Sequence, residues 1–251
     1  MVFWLFGVAL AQQAGELDGD DDYWNVSSTL RPNPGESYTI EAWVLTDDIG
    51  ISQQLLSIHH PSFGLSRLSI GYVNDNGNTL WCVVLDDAQT NSMTGCELVQ
   101  LGSHDGLIAP ATLASGAYHH IALSYDAATN QLRFFEDGSE VGSYPITYAP
   151  SWNEYVDEWW IGAELDDPTV TDPIINEWFG EIAEFRVWST GLNEDQINCT
   201  KDATLVGTEA NLYLQQTLNG TLVDQGANGF DLTAQNDATF VSSSIGLSVA
   251  T

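Results

Sequence analysis

Gly116-Ala-Tyr-His-His-Ile-Ala-Leu-Ser-Tyr-Asp126, Leu132-Arg-Phe-Phe-Glu-Asp-Gly138, Trp159-Trp-Ile-Gly-Ala-Glu-Leu-Asp-Asp167 and Trp178-Phe-Gly-Glu-Ile-Ala-Glu-Phe-Arg-Val-Trp188 follow one another within residues 116–196. Each is short, rich in β-branched and aromatic residues, and ends at a Gly, Asp or Asn turn. That combination specifies strands, because branched and aromatic side chains pack well on a pleated surface. One of the turns, 164–177, is loaded with carboxylates and is the first candidate for a specific site.

The same pattern extends both ways. Tyr38–Leu45 alternates cleanly, and further strands are expected at 23–26, 54–59, 67–73, 79–85, 97–101, 118–125, 131–136, 139–144, 158–163 and 179–188. After a single helical turn at Asn193–Ile197, with Asn193 as N-cap, short apolar runs at 212–215, 222–223, 231–233 and 238–241 finish the sheet. Many short strands with almost no helical period imply an all-β sandwich. No Pro/Ser linker or break in composition divides the 251 residues, so 12–251 reads as one domain.

Charge is the most unusual total: 35 acidic residues face 5 Lys plus Arg, a formal net charge of -30. Phosphate binding needs clustered cations, so nucleic acid and anionic membrane surfaces are poor partners. Divalent cations or a salty medium suit such a chain. Residues 1–11, Met-Val-Phe-Trp-Leu-Phe-Gly-Val-Ala-Leu-Ala, read as a signal peptide with Ala9-Leu10-Ala11 at its cleavage site. If retained, they read as an apolar strand available for self-assembly. No run approaches the roughly 20 apolar residues of a membrane span.

Cys82 and Cys96 flank a polar segment, as a hairpin-spanning disulfide would, and Cys199 is left free and buried or paired with another chain. Asn25, Asn198 and Asn219 open glycosylation sequons. His119 and His120 are adjacent, so a strand sends them to opposite faces, in structural roles. Glu181 and Glu184, three apart, are likewise expected on opposite faces, which argues against a glycosidase pair.

Tyr118-His-His-Ile-Ala resembles the Trp-His-His-Val-Ala signature of laminin-G-like jelly rolls. Leu17-Asp-Gly-Asp-Asp-Asp-Tyr is similar to that family's opening strand, Tyr38-Thr-Ile-Glu-Ala-Trp-Val to its second, and Phe179–Trp188 with Leu192-Asn-Glu-Asp-Gln-Ile to its closing strand and turn. The resemblance covers most of 15–241 and implies a two-sheet antiparallel jelly-roll sandwich of the concanavalin A-like kind. The stretch is also similar to pentraxins, and that resemblance implies calcium (Ca2+) held by Glu164, Asp166 and Asn176, with Leu165 offering its carbonyl and Asp167 as a further ligand. Carboxylates of this density suit a hard cation that takes six to eight oxygens, although solvated loop acids in an acidic chain explain them too. Asp18, Asp20 and Asp22, at alternate positions, form a second candidate calcium site, which an Asp-Gly turn alone also explains. Trp152 and Tyr155 are candidate sugar-stacking residues in a loop.

The expectation is a secreted, extracellular, non-catalytic recognition or adhesion module that binds glycan or protein with the help of calcium. The competing reading is a structural subunit of an extracellular filament, sheath or coat, assembled through residues 1–11. Glycoside hydrolysis is the minor alternative.

Overall fold

The computed structural model describes residues 13–26, 36–60, 65–75, 77–87, 105–146, 158–165, 174–226, 228–243, 245 and 248–249. Residues 1–11, Cys96, the expected strand at 97–101, Trp152, Tyr155, Asp166 and Asp167 lie outside them.

The chain opens with β1 (Gln13–Asp18), β2 (Tyr23–Val26), β3 (Tyr38–Thr46), β4 (Gln53–His60) and β5 (Leu65–Asp75). Next come β6 (Asn78–Asp87), β7 (Gly106–Pro110), β8 (Tyr118–Asp126), β9 (Gln131–Glu136) and β10 (Ser139–Pro145). Then follow β11 (Glu158–Ile161), β12 (Glu164–Leu165), β13 (Ile174–Ile175), β14 (Phe179–Trp188) and the helix α1 (Glu194–Thr200). The chain closes with β15 (Ala203–Thr204), β16 (Leu212–Gln216), β17 (Leu232–Gln235), β18 (Thr239–Ser242) and β19 (Ser248–Val249).

One sheet has the order β10-β9-β8-β3-β14-β1-β18, with β16 also on β14; the other runs β17-β2-β11-β4-β5-β6-β7. Every pairing in these two sheets is antiparallel. The architecture is the expected jelly-roll sandwich. Strand alternation explains how the layers close. Ile40, Ala42 and Val44 of β3 and Ile121, Leu123 and Tyr125 of β8 point inward. They meet Leu56 and Ile58 of β4, Ile70 and Tyr72 of β5, and Trp81 and Val83 of β6.

Part of the opposite face of the eight-stranded sheet is buried as well. Ala122, Phe135 and Trp188 on that face pack against Leu192, Ile197 and Leu212, under α1. The helix is short, so its ends need satisfied donors. Asn193 accepts from the Gln196 N–H at 3.0 Å, and the Gln196 side chain accepts from the Asn193 N–H at 2.9 Å. This reciprocal box is the expected N-cap, and the helix runs three residues beyond the single turn anticipated.

Strand β14 carries a bulge. Its register against β3 shifts between Ala183 and Arg186, and Glu184 sits at φ 52°. On the edge away from β3, residues 179–182 pair with β1 and residues 185–188 with β16. Glycine is required just before the bulge. At Gly180, φ is 141° and a Cβ would come 2.2 Å from the Leu45 carbonyl oxygen.

Candidate functional site

Two groups of carboxylates lie where strands end. The first is built from the β1–β2 turn and the turn between β17 and β18. Asp18 ends β1 opposite Phe179, and the chain reverses through Gly19 at φ 79° and Asp21 at φ 66°. The Asp20 N–H donates to Asp18 Oδ1 at 2.9 Å, and the Asp18 N–H to Asp22 Oδ2 at 3.3 Å. From the far end of the chain, the Asp237 N–H donates to Asp22 Oδ1 at 2.9 Å, and Asn236 Nδ2 donates to the Asp21 carbonyl.

These contacts gather one carboxylate oxygen each from Asp18, Asp22 and Asp237 within 4.8 Å of one another. They line a cavity of about 220 Å³ together with Glu16 and Thr239. Asp22 is only 2% exposed. Burial pushes its carboxyl up to about 6, helped by the Asp237 side chain and the Asp18 charge and opposed by the backbone N–H donors. Of the anticipated trio Asp18, Asp20 and Asp22, the structure brings Asp18 and Asp22 together with Asp237. Asp20 holds Asp18 through its backbone, and Asp237 takes the third carboxylate position. Asp237 is 215 residues from Asp22, and no local pattern links the two.

The second group begins at the end of β11. Gly162, at φ 94°, lies where a Cβ would be 2.1 Å from Leu17 Cδ1. Its N–H donates to the Leu55 carbonyl at 2.8 Å and its carbonyl accepts from the Trp178 N–H at 2.7 Å. The two-residue ladder β12–β13 pairs Glu164 with Ile175, so the base of the 164–177 loop is closed. Asn176 follows at φ 54°, and its carbonyl accepts from the Gln54 N–H at 2.5 Å. Asn176 Nδ2 donates to Glu164 Oε2 at 3.1 Å, and Glu164 is fully buried. Two members of the proposed ligand set are thus in contact, while Asp166 and Asp167 lie outside the described residues. A carboxylate and an amide oxygen suit calcium chemically, with the amide turned so that its oxygen faces the ion.

The histidines have structural roles. His119 Nδ1 donates to Asp137 Oδ2 at 2.8 Å, and its Nε2 accepts from the Ala114 N–H at 3.2 Å. Both ring nitrogens are committed, so the neighbouring Glu136 and Asp137 gain no free imidazole ligand. Glu136 instead accepts from Trp81 Nε1 at 2.8 Å and the Thr112 N–H at 3.1 Å. His120 lies on the other face, 3.3 Å from Glu41. Glu181 and Glu184 depart from the expected opposition, because the bulge turns Glu184 onto the outer face. Each is engaged there: Glu181 accepts from the Tyr118 hydroxyl, and Glu184 accepts from Arg186 Nη2 at 3.0 Å.

Cys82 is in a disulfide. Cys199 is free and exposed on α1, which corrects the buried alternative. Among the sequon residues, the Asn25 amide donates to Glu158 at 3.3 Å and the Asn198 amide to the Gly138 carbonyl at 2.8 Å. Asn219 is exposed and accepts from the Gln13 N–H at 2.8 Å. Trp24, Trp81, Trp159 and Trp178 are buried. Phe179, by contrast, is 36% exposed at the register position opposite Asp18.

The model of the concanavalin A-like lectin/glucanases superfamily, of the laminin G type, matches residues 18–198. Among curated proteins, none matches significantly. Among solved structures, the chain is similar to a Bacteroides ovatus protein provisionally described as carbohydrate-binding. The TM-score is 0.66 at 16% identity, over 95% of this chain and 62% of that one. It is also similar to a heptameric SAP-like pentraxin from Limulus polyphemus, with TM-score 0.65, 11% identity, and 94% and 97% of the two chains covered. A third likeness is the CBM40 of the Ruminococcus gnavus IT-sialidase bound to α2,3-sialyllactose. There the TM-score is 0.53 at 17% identity, over 75% of this chain and 97% of that one. At these identities the likeness is one of fold.

Proposed function

We propose that this chain, which belongs to the concanavalin A-like lectin/glucanases superfamily, is a secreted, non-catalytic module that recognises glycans with the help of calcium. One observation carries the reading. Carboxylates of Asp18, Asp22 and Asp237 converge at the end of the sandwich, and among the described residues no Lys or Arg lines the cavity they form. Three such carboxylates repel one another; the Asp22 carboxyl is raised first by its burial and further by the Asp237 side chain and the Asp18 charge. A calcium ion would relieve that repulsion. Asp18, Asp22 and Asp237 would hold it, with Glu16 and Thr239 within the same cavity. Calcium takes six to eight oxygens, so positions remain for water or sugar hydroxyls. Phe179 offers an exposed ring beside Asp18, the kind of surface on which a sugar face stacks. Glu164 and Asn176 form the second proposed calcium position, with Asp166 and Asp167.

The fold-level relatives named for carbohydrate or sialyllactose binding support glycans as the ligand class. The acidic surface supports neutral or cationic glycans over anionic ones. A glycan array probed with and without millimolar calcium tests the proposal. Binding that needs calcium and disappears on chelation is expected. Binding indifferent to a chelator would remove calcium from the reading, and no glycan bound in either condition would remove the glycan.

The building-block reading, which the sequence attaches to residues 1–11, draws among the described residues on the exposed and free Cys199. Non-reducing electrophoresis of the oxidised protein checks it. A Cys199-dependent dimer would favour assembly through the helix face.

A further inference from the structure

Asn25, Asn198 and Asn219 each open the pattern that an N-linked oligosaccharide requires, and the fold treats them differently. Asn25 lies inside β2, a strand paired on both edges, opposite Trp160 of β11 and Thr233 of β17. Its amide donates to Glu158 Oε2 at 3.3 Å, and the same oxygen accepts from Trp160 Nε1 at 3.0 Å. An oligosaccharide on Asn25 would stand among side chains that already bond to one another.

Asn198 is exposed on α1, but its amide is the contact between the helix and the β9–β10 turn. Nδ2 donates to the Gly138 carbonyl at 2.8 Å, and a Cβ on Gly138 would come 2.0 Å from Asn198 Oδ1 and 3.1 Å from Lys201 Cε. A sugar on that amide would part the helix from the turn.

Asn219 differs from both. It sits between β16 and β17, after Leu218, which is anchored in the core at 0% exposure with φ 52°. Gly220 follows at φ 72°, so the turn presents Asn219 at the surface, where it is exposed. Its Oδ1 accepts from the Gln13 N–H at 2.8 Å, and its Nδ2 has no partner among the described residues. The held oxygen orients the amide and leaves the nitrogen uncommitted. N-linkage keeps that oxygen, so the bond from Gln13 survives modification.

We propose that Asn219 is the residue of this chain that carries an N-linked oligosaccharide, and that Asn25 and Asn198 stay bare. The proposal rests on the secreted reading, because the donor is a lipid pyrophosphate-linked oligosaccharide of the secretory route. In the transfer, Asn219 Nδ2 bonds to the anomeric carbon and the bond from that carbon to the pyrophosphate oxygen breaks. The lipid pyrophosphate leaves with the electron pair, and the amide gives up one proton. Transfer meets the chain before it folds, so the fold selects afterwards. A chain modified at Asn25 or Asn198 loses the contacts described, and one modified at Asn219 loses none. The site also leaves the carboxylate cavity clear. Asn219 bonds to Gln13 at the start of β1, whereas Asp18 ends that strand, about 17 Å away along it.

The test expresses the full chain in insect cells, once with its own amino terminus and once behind an added secretory leader. Secreted, folded protein is stripped of sugar enzymatically in heavy-oxygen water, which turns each modified Asn into a labelled Asp, and its peptides are mapped by mass. Label on most copies of Asn219 and on few or none of Asn25 and Asn198 is expected. Asn219→Asp keeps an oxygen for the Gln13 N–H and should be secreted without the oligosaccharide. Label on Asn25 or Asn198 comparable with that on Asn219 would overturn the proposal. So would an unlabelled Asn219, or oligosaccharide mass that survives Asn219→Asp. Label at Asn219 only with the added leader would remove secretion through residues 1–11 and uphold Asn219 as the acceptor. The peptide map of the parent decides even if the variant does not fold.

Discussion

The Glu41–Glu184–Arg186 group and the Asp18–Asp22–Asp237 group are both clusters of close carboxylates, and they are built for opposite ends. The first contains a guanidinium, is buried and anchors the backbone at Thr200 and Ala203. The second lines a cavity, and no cation among the described residues pairs with it. With only 5 Lys plus Arg in the chain, the placement of a single Arg separates a structural knot from the proposed ligand site. Carboxylate density alone does not distinguish them.

The largest effect should come from breaking the compensated group. Arg186→Met removes the guanidinium that Glu41 and Glu184 share and should cost about 3–5 kcal/mol, read as the midpoint of urea denaturation. Loss of less than about 1 kcal/mol would mean that the cluster carries little. The uncompensated group should respond to calcium instead. Saturation at a hundredfold excess over Kd stabilises by about 2.7 kcal/mol, read as a rise in Tm, and Asp237→Asn should abolish the rise. A rise that survives both Asp237→Asn and Asp22→Asn would place the ion elsewhere, with the Glu164–Asn176 position next in line.

Acidity should then separate the two clusters further. The Asp22 carboxyl lies at about 6 in the folded chain, against an ordinary value of 3.8. Without calcium, its ionisation penalty is absent below 3.8 and complete above about 6, so stability falls as pH rises across that window. Calcium competes with the proton, so its apparent affinity should weaken as pH drops below about 6. Asp22→Asn should flatten that dependence. The smallest effect concerns neither cluster directly. Asn193→Ala removes one half of the capping box and should cost about 1 kcal/mol, while leaving the calcium response untouched.

Strands β7, β12 and β13 were not anticipated, whereas most strands between Tyr38 and Trp188 were legible because each buried face repeats every second residue, a local property of the chain. The same holds for Asn193, whose cap is made three residues away. Strand β1 was harder to read, because Gln13–Asp18 has few apolar residues and its neighbours β14 and β18 come from distant sequence. The acidic turns were legible as composition only. Asp18 and Asp22 were within reach of a local reading, but Asp237 was not, since its position depends on β17 pairing with β2 and β18 with β1. Glu184 misled the alternation argument because a bulge is set by what the partner strands require.

By itself, then, the sequence determined the all-β class, most of the strands, the family resemblance and the surplus of negative charge. All of these are written in neighbouring residues or in simple sums. Only the tertiary structure decided which carboxylates share a space and which of them meets Arg186. The reason is physical: electrostatic interaction falls off over a few ångströms through space, and distance along the chain says little about it.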